Sequence, residues 1–290
     1  MQEVEVVTDS TAMVPEELIK ELAITVVPAK VIFGHEVYSD GVDLTPAGFY
    51  RKLAEAGAHP TTSQPSPGQY LKVFAELARR AKSIICLTPA RSLSGIFASA
   101  AEAMNLFLEQ RADFLIEVLD TRTATASQGL LVLEAARLAQ RNLGLVQIRD
   151  RIIHLSKRTR VYAGLDTLKY LARGGRIGRA AELLGTLLQI KPIVTLSDGL
   201  ITPVLRVRTR EQVLQSLLGL LETDAGHGLR WHIAVMHSEA LAQAEELARR
   251  IRARFDPFEL HILTLTPALG VHSGPGVLGI AYYNEKIQTG

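Results

Sequence analysis

Cysteine is nearly missing from this chain: Cys86 stands alone among 290 residues. That excludes an internal disulfide framework and any thiolate-built zinc or iron–sulfur site. Excess charge is missing too, since 32 basic residues face 30 acidic ones for a formal net charge of +2. A protein whose main task is gripping a phosphate backbone carries a larger positive balance, so nucleic acid is not the expected partner. No uninterrupted apolar run reaches membrane-spanning length. Residues 1–7 carry Glu3 and Glu5 in place of a basic start and an apolar stretch, so no signal peptide is expected, and a cytoplasmic location is. Three familiar catalytic signatures are also lacking: the G-x-x-x-x-G-K-S/T phosphate loop, the G-x-S-x-G nucleophile elbow and the H-E-x-x-H zinc helix. With eight histidines scattered singly, neither a metal nor a cofactor is expected.

What is present is an ordinary globular composition, 47% hydrophobic and 21% charged, at a length that exceeds the usual single core. Residues 3–7 read as a buried strand running into Thr8, Asp9, Ser10 and Thr11, and Pro15 follows where a helix can start. Residues 24–38 are β-branched around a Gly34-His35 turn, which predicts a hairpin or two short strands. Thr45-Pro46 and Ser66-Pro67 each place a capping hydroxyl before a helix-starting proline. Residues 83–87 and 114–120 read as strands, each followed by a hydroxyl-rich loop and a helix. Such alternation predicts an α/β fold with a mainly parallel sheet, whose ligands sit beyond the carboxyl ends of the strands.

Residues 144–160 read as a helical, basic spacer, after which the pattern changes. A hairpin over 191–208 turns at Asp198-Gly199, a strong type I′ signal. A helix through Leu214 and Leu221, a strand at 232–237, a long Ala/Arg/Glu helix and a strand at 260–265 complete this half. The expected domains are 1–155 and 156–290.

Several short segments admit both a structural and a functional reading. Ser94-Gly95 lies at a strand-to-helix junction, where free amides and the helix dipole favour an anion, although taken alone a plain N-cap is the better account. Thr62-Ser63 and Asp9-Ser10-Thr11 divide the same way. Gly274-Pro275-Gly276-Val277-Leu278-Gly279 matches G-x-G-x-x-G, but only 11 residues follow it, too few for a dinucleotide-binding unit. It reads as a tight turn between two final strands, with His272 at a strand end. Arg173-Gly174-Gly175-Arg176 reads as a helix C-cap, with an anion or docking role for Arg176 as the alternative. Leu130, Leu131, Leu183, Leu184, Leu187 and Leu188 are core residues by default and could equally line a tunnel. If the three hydroxyl loops meet His272, they form a set of neutral donors suited to one carboxylate.

Taken in order, these segments resemble the DegV family of bacterial fatty-acid-binding proteins, which includes the FakB subunits of fatty acid kinase. The resemblance is carried by Thr8-Asp9-Ser10, Thr62-Ser63-Gln64-Pro65-Ser66-Pro67-Gly68, Ser92-Leu93-Ser94-Gly95, residues 118–123, Leu165-Asp166-Thr167-Leu168, Gly174-Gly175-Arg176-Ile177 and His272-Ser273-Gly274-Pro275-Gly276. It implies a two-domain fold, the second domain with a mixed sheet, closed around a long-chain fatty acid. Thr62, Ser63, Ser94, Gly95 and His272 match the family's carboxylate-binding positions. Arg176, Arg206 and Arg208 match positions at the site mouth or kinase-docking region. The implied role is a monomeric, non-enzymatic subunit that presents the acid to a separate ATP-dependent fatty acid kinase, with transient membrane contact compatible. Two alternatives stand beside it: a hydrolase using Ser94 activated by His272, and a lipid-responsive regulatory protein. Ile96-Phe97 departs from the Thr-Tyr that relatives commonly carry after Ser-Gly.

Overall fold

Strand Glu5–Asp9 (β1) is buried at every position, because its sheet is covered on both faces. In the computed structural model, which describes residues 2–56, 58–183, 190–224 and 229–286, it pairs in parallel with Thr25–Val27 (β2) and with a later strand, Ser83–Thr88 (β6). Leu115–Asp120 (β7) adds to β6, also in parallel, and the order is β2-β1-β6-β7. Between them, Lys30–Phe33 (β3), Glu36–Ser39 (β4) and Thr61–Ser63 (β5) form a separate antiparallel sheet with β3 in the middle. The Gly34-His35 turn thus makes the β3–β4 hairpin, while β2 leaves for the parallel sheet.

The proline signals hold at each helix start. Glu16–Glu21 (α1) follows Pro15, and Pro46–Glu55 (α2) begins after Thr45, whose hydroxyl accepts from the Gly48 amide. Pro67–Leu77 (α3) begins after Ser66 with a complete capping box to Gln69. Ile96–Leu108 (α4) follows β6.

Ala126–Gln140 (α5) follows β7 and is buried at 12 of its 15 positions. A helix buried on nearly every side is one enclosed by protein, and α5 lies between the parallel sheet and a second, larger sheet. A single core joins Val6 and Leu87 to Leu130 and Leu131 and on to Ala234, Met236 and Ala281. Gly129 lets the start of the chain close on this helix, since a Cβ there would stand 2.2 Å from the Ala12 carbonyl oxygen.

Leu145–Ser156 (α6) leads to Arg160–Gly164 (β8), the short helix Lys169–Arg173 (α7) and the hairpin Lys191–Ser197 (β9) and Leu200–Val207 (β10). Its turn has φ of 51° at Asp198 and 73° at Gly199, the paired positive values of a type I′ turn. Arg210–Thr223 (α8), Leu229–His237 (β11), Leu241–Phe255 (α9), Glu259–Thr264 (β12), Pro267–Ser273 (α10) and Leu278–Lys286 (β13) complete the chain. The six strands order as β10-β9-β8-β13-β11-β12, antiparallel except for β11–β12. Leu183 is buried in a 3-10 turn, while Leu184, Leu187 and Leu188 fall outside the described residues.

One expectation is overturned. The glycine-rich turn at 274–276 joins a helix to a strand, and His272 occupies the last turn of α10. Thr266-Pro267 is the same hydroxyl-proline start that identifies α2 and α3, and it is the local signal that outweighs the strand reading.

Candidate functional site

Thr62 is set by the antiparallel sheet, where it pairs with Val31 of β3. Helix α10 packs against that sheet and α2 through Ala268 and Val271. The two elements bring Thr62 Oγ1 within 2.8 Å of His272 Nε2, across 210 positions of sequence. Ser94 sits just ahead of α4, where its Oγ accepts from the Ile96 amide at 3.3 Å. Gly95 has a packing role: a Cβ there would fall 2.9 Å from Gln64 Nε2, so glycine allows the β5–α3 loop to lie over the start of α4.

Thr62, Ser63, Ser94, Arg176 and His272 line one cavity, of about 190 Å³. The rest of its lining is mostly apolar, with Ala163, Val194, Leu196 and Met236 from the large sheet and Leu265 and Leu269 from the approach to α10 and its first turn. Thr125 also keeps a hydroxyl without a partner, while the remaining hydroxyls on the wall are committed to the protein: Thr195 donates to the Val161 carbonyl at 2.7 Å, Ser273 to that of Leu269 at 2.9 Å, Ser63 to that of Gln64 at 3.3 Å, and Thr11 to Asp9. Ser94 still has its proton to give, and so does one member of the Thr62–His272 pair.

Burial pushes the His272 imidazole down to about 4, with the nearby Arg176 and His59 adding to the effect. The ring is therefore neutral at neutral pH. Its Nδ1 has no hydrogen-bond partner, and the α7 terminus lies against that side, where a Cβ on Gly174 would stand 2.2 Å from Nδ1. Arg176 locks this terminus, donating to the Gly174 carbonyl at 2.7 Å and to that of Leu93 at 3.3 Å. A serine–histidine hydrolase finds no support: Nε2 is held by Thr62, and the Ser94 oxygen receives a backbone amide.

The other expected positions separate. Of Asp9-Ser10-Thr11, only Thr11 lines the cavity. Asp9 turns into the α5 junction, accepting from Gln128 Nε2 and the Thr11 amide, both at 2.9 Å, and burial pushes its carboxyl up. Arg206 and Arg208 are exposed and outside the cavity, whereas Arg210 turns inward to Asp166 and the Gly276 carbonyl. At the departure from the family pattern, Ile96 is buried on the cavity wall and Phe97 lies under the Arg91 guanidinium at 4.3 Å. An apolar surface therefore stands at this position. Gln64 and Thr125 are among the lining residues that escaped the sequence reading. Gln64 was within reach of it, in the same loop as Thr62, but no local pattern marks Thr125, whose φ is 62° and ψ −146°.

A family model described as an uncharacterised protein of the DegV family matches residues 3–285. The chain belongs to the DegV family. Within the family, a DegV domain-containing protein of Halalkalibacterium halodurans is 34% identical over 289 residues, covering 99% of this chain and 100% of the relative. The structure of a DegV protein from Thermus thermophilus, described by its fatty acid binding, superposes with a TM-score of 0.91 at 31% identity, covering 98% of this chain and 100% of the other. Bacillus subtilis DegV, described as a fatty acid binding protein, gives a TM-score of 0.89 at 30% identity with the same coverage. A stearic-acid-binding protein from Eubacterium ventriosum gives 0.87 at 27%, covering 97% and 98%. Among the described residues of this DegV protein, no helix is long and apolar enough to cross a membrane, and no group of three or more potential ligands could hold a metal ion.

Proposed function

We propose that this DegV protein binds a long-chain fatty acid in the cavity, its carboxylate at Thr62, Ser94 and His272 with Ser63 and Gly95 beside them. The observation that carries this reading is a mostly apolar cavity on whose wall neutral donors remain unspent at Ser94 and at the Thr62–His272 pair, groups far apart in the chain. A buried methylene contributes about 0.8 kcal/mol, so a long chain offers on the order of ten kcal/mol, less the costs of association. The tail supplies the affinity and the donors orient the head. A neutral His272 donating from Nε2 to Thr62 Oγ1 leaves the threonine proton for the carboxylate, and Ser94 supplies a second. The fatty-acid-binding relatives of Thermus thermophilus, Bacillus subtilis and Eubacterium ventriosum support the ligand class.

In this reading the protein is not itself an enzyme. It is a monomeric cytoplasmic carrier, its domains 1–155 and 156–290 enclosing the acid, without a cofactor. It presents the carboxylate to a separate ATP-dependent fatty acid kinase, which forms the acyl phosphate. Arg176 at the mouth and the exposed Arg206 and Arg208 are the docking candidates for that partner. Denaturing extraction of the purified protein followed by mass spectrometry tests the ligand. A stoichiometric long-chain acid is expected; no acyl chain in the extract and no uptake of added palmitate would refute the reading. Acyl-phosphate formation with a fatty acid kinase tests the presentation step, and an Arg206→Glu/Arg208→Glu protein is expected to bind palmitate normally but support that reaction poorly.

A further inference from the structure

Helix α10 starts with Thr266-Pro267, yet unlike Thr45, Ser66 and Thr209 at their helices, Thr266 makes no side-chain bond to its own first turn. Asp40 does so instead. Its Oδ1 accepts from the Ala268 amide at 2.9 Å, a buried bond between residues 228 positions apart. The Asp40 side chain is enclosed, with the hydroxyls of Ser10 and Thr266 as its polar neighbours, and its own amide donates to the Ala29 carbonyl at 2.9 Å.

The register of the antiparallel sheet shows what this bond controls. Lys30 of β3 pairs with Ser39 on one side and Ser63 on the other. Asp40 continues past Ser39 to the level of Ala29, and Thr62 stands opposite Val31, so the two lie two residues apart along β3 and on the same face of the sheet. Ala268 and His272 are four apart in α10 and so share a helix face, about one turn from each other. The sheet thus grips α10 twice, through Asp40 at its first turn and through Thr62 at its last.

We propose that Asp40 is a positioning residue of the head-group site: by holding the first turn of α10, it determines where the His272 ring meets Thr62. The inference deepens the fatty-acid reading and rests on it only for its effect on the ligand. Removing the acceptor frees the first turn to shift, and a shift there moves His272 with it.

The test uses the full chain with His272 followed by imidazole NMR, first delipidated and then with carboxyl-labelled palmitate. In Asp40→Ala, the His272 resonances are expected to move toward those of Thr62→Val, and palmitate release to accelerate roughly tenfold, the scale of one lost hydrogen bond. Asp40→Asn keeps an oxygen for the Ala268 amide and is expected to restore both. If Asp40→Ala does not fold, Asp40→Ser replaces it, since its hydroxyl can still meet Ser10 and Thr266 but falls short of Ala268. A lowered melting temperature with unchanged His272 resonances would overturn the proposal and leave Asp40 a merely structural residue. Failure of the unmodified protein to take up palmitate would sink the fatty-acid reading alone, because the delipidated imidazole comparison still decides the role of Asp40.

Discussion

Two of the buried polar clusters of this protein differ in what they leave unpaired. Behind α5, Glu259 accepts from both Arg137 nitrogens, at 2.8 and 2.5 Å, from His232 Nδ1 at 2.5 Å and from His261 Nε2 at 3.0 Å. Burial alone would raise its carboxyl, but these donors overcome that and hold it far below the usual carboxylate range. Around the cavity, by contrast, Ser94 keeps a proton to give and the Thr125 hydroxyl has no partner. A carboxylate saturated in this way is a structural device that ties helix to sheet, because the buried charge has its partners on both sides. An unsaturated cluster beside open space is where a ligand completes the bonding. The difference, more than the residue types, separates framework from site.

That contrast predicts opposite responses to substitution. Arg137→Met leaves Glu259 buried without its main partner and is expected to cost about 3–5 kcal/mol of stability, with palmitate affinity unchanged in the protein that still folds. Chemical denaturation and a binding titration check the two halves of that statement. On the cavity wall the outcome reverses. Ala163→Phe fills space the tail needs; excluding about four methylenes at ~0.8 kcal/mol each costs about a hundredfold in long-chain affinity, while shorter acids bind as before. A chain-length series measures it.

The two clusters also differ in their response to acid. A histidine held near 4 when folded and about 6.5 when unfolded binds more protons in the unfolded chain between those values, so stability rises with pH across that window. The His272 contribution is expected to fall by about 2 kcal/mol from pH 7 to pH 5 in the acid-free protein. His272→Gln should remove that portion of the slope in parallel melting curves; an identical slope would mean that the ring is not held neutral. The smallest effect belongs to single donors: Ser94→Ala removes one hydrogen bond and is expected to weaken palmitate by about 1 kcal/mol without altering the melting temperature. A large loss of stability there would place Ser94 with the framework.

Much of the framework is legible along the chain because its signals act over three or four residues. Pro46, Pro67 and the Asp198-Gly199 pair dictate local φ values, and an apolar run such as Ile84-Ile85-Cys86-Leu87 marks a strand buried on both faces. The reading failed at α10 because the glycines after His272 were weighed as a strand turn while Thr266-Pro267 was overlooked. Through the ordered family segments it singled out Thr62, Ser63, Ser94, Arg176 and His272, all of which line the cavity. From spacing alone each was as well explained by a cap or a turn.

By itself, then, the sequence determined where helices and hairpins begin and which runs are buried, because backbone preference and side-chain hydrophobicity are properties of neighbours. Only the tertiary structure decided that Thr62 meets His272 across 210 positions, that Asp40 holds the first turn of α10, and that the donors around the cavity stay unspent while those around Glu259 do not. Hydrogen bonds in a dry interior depend on which distant groups arrive together, and packing rather than local propensity brings them there.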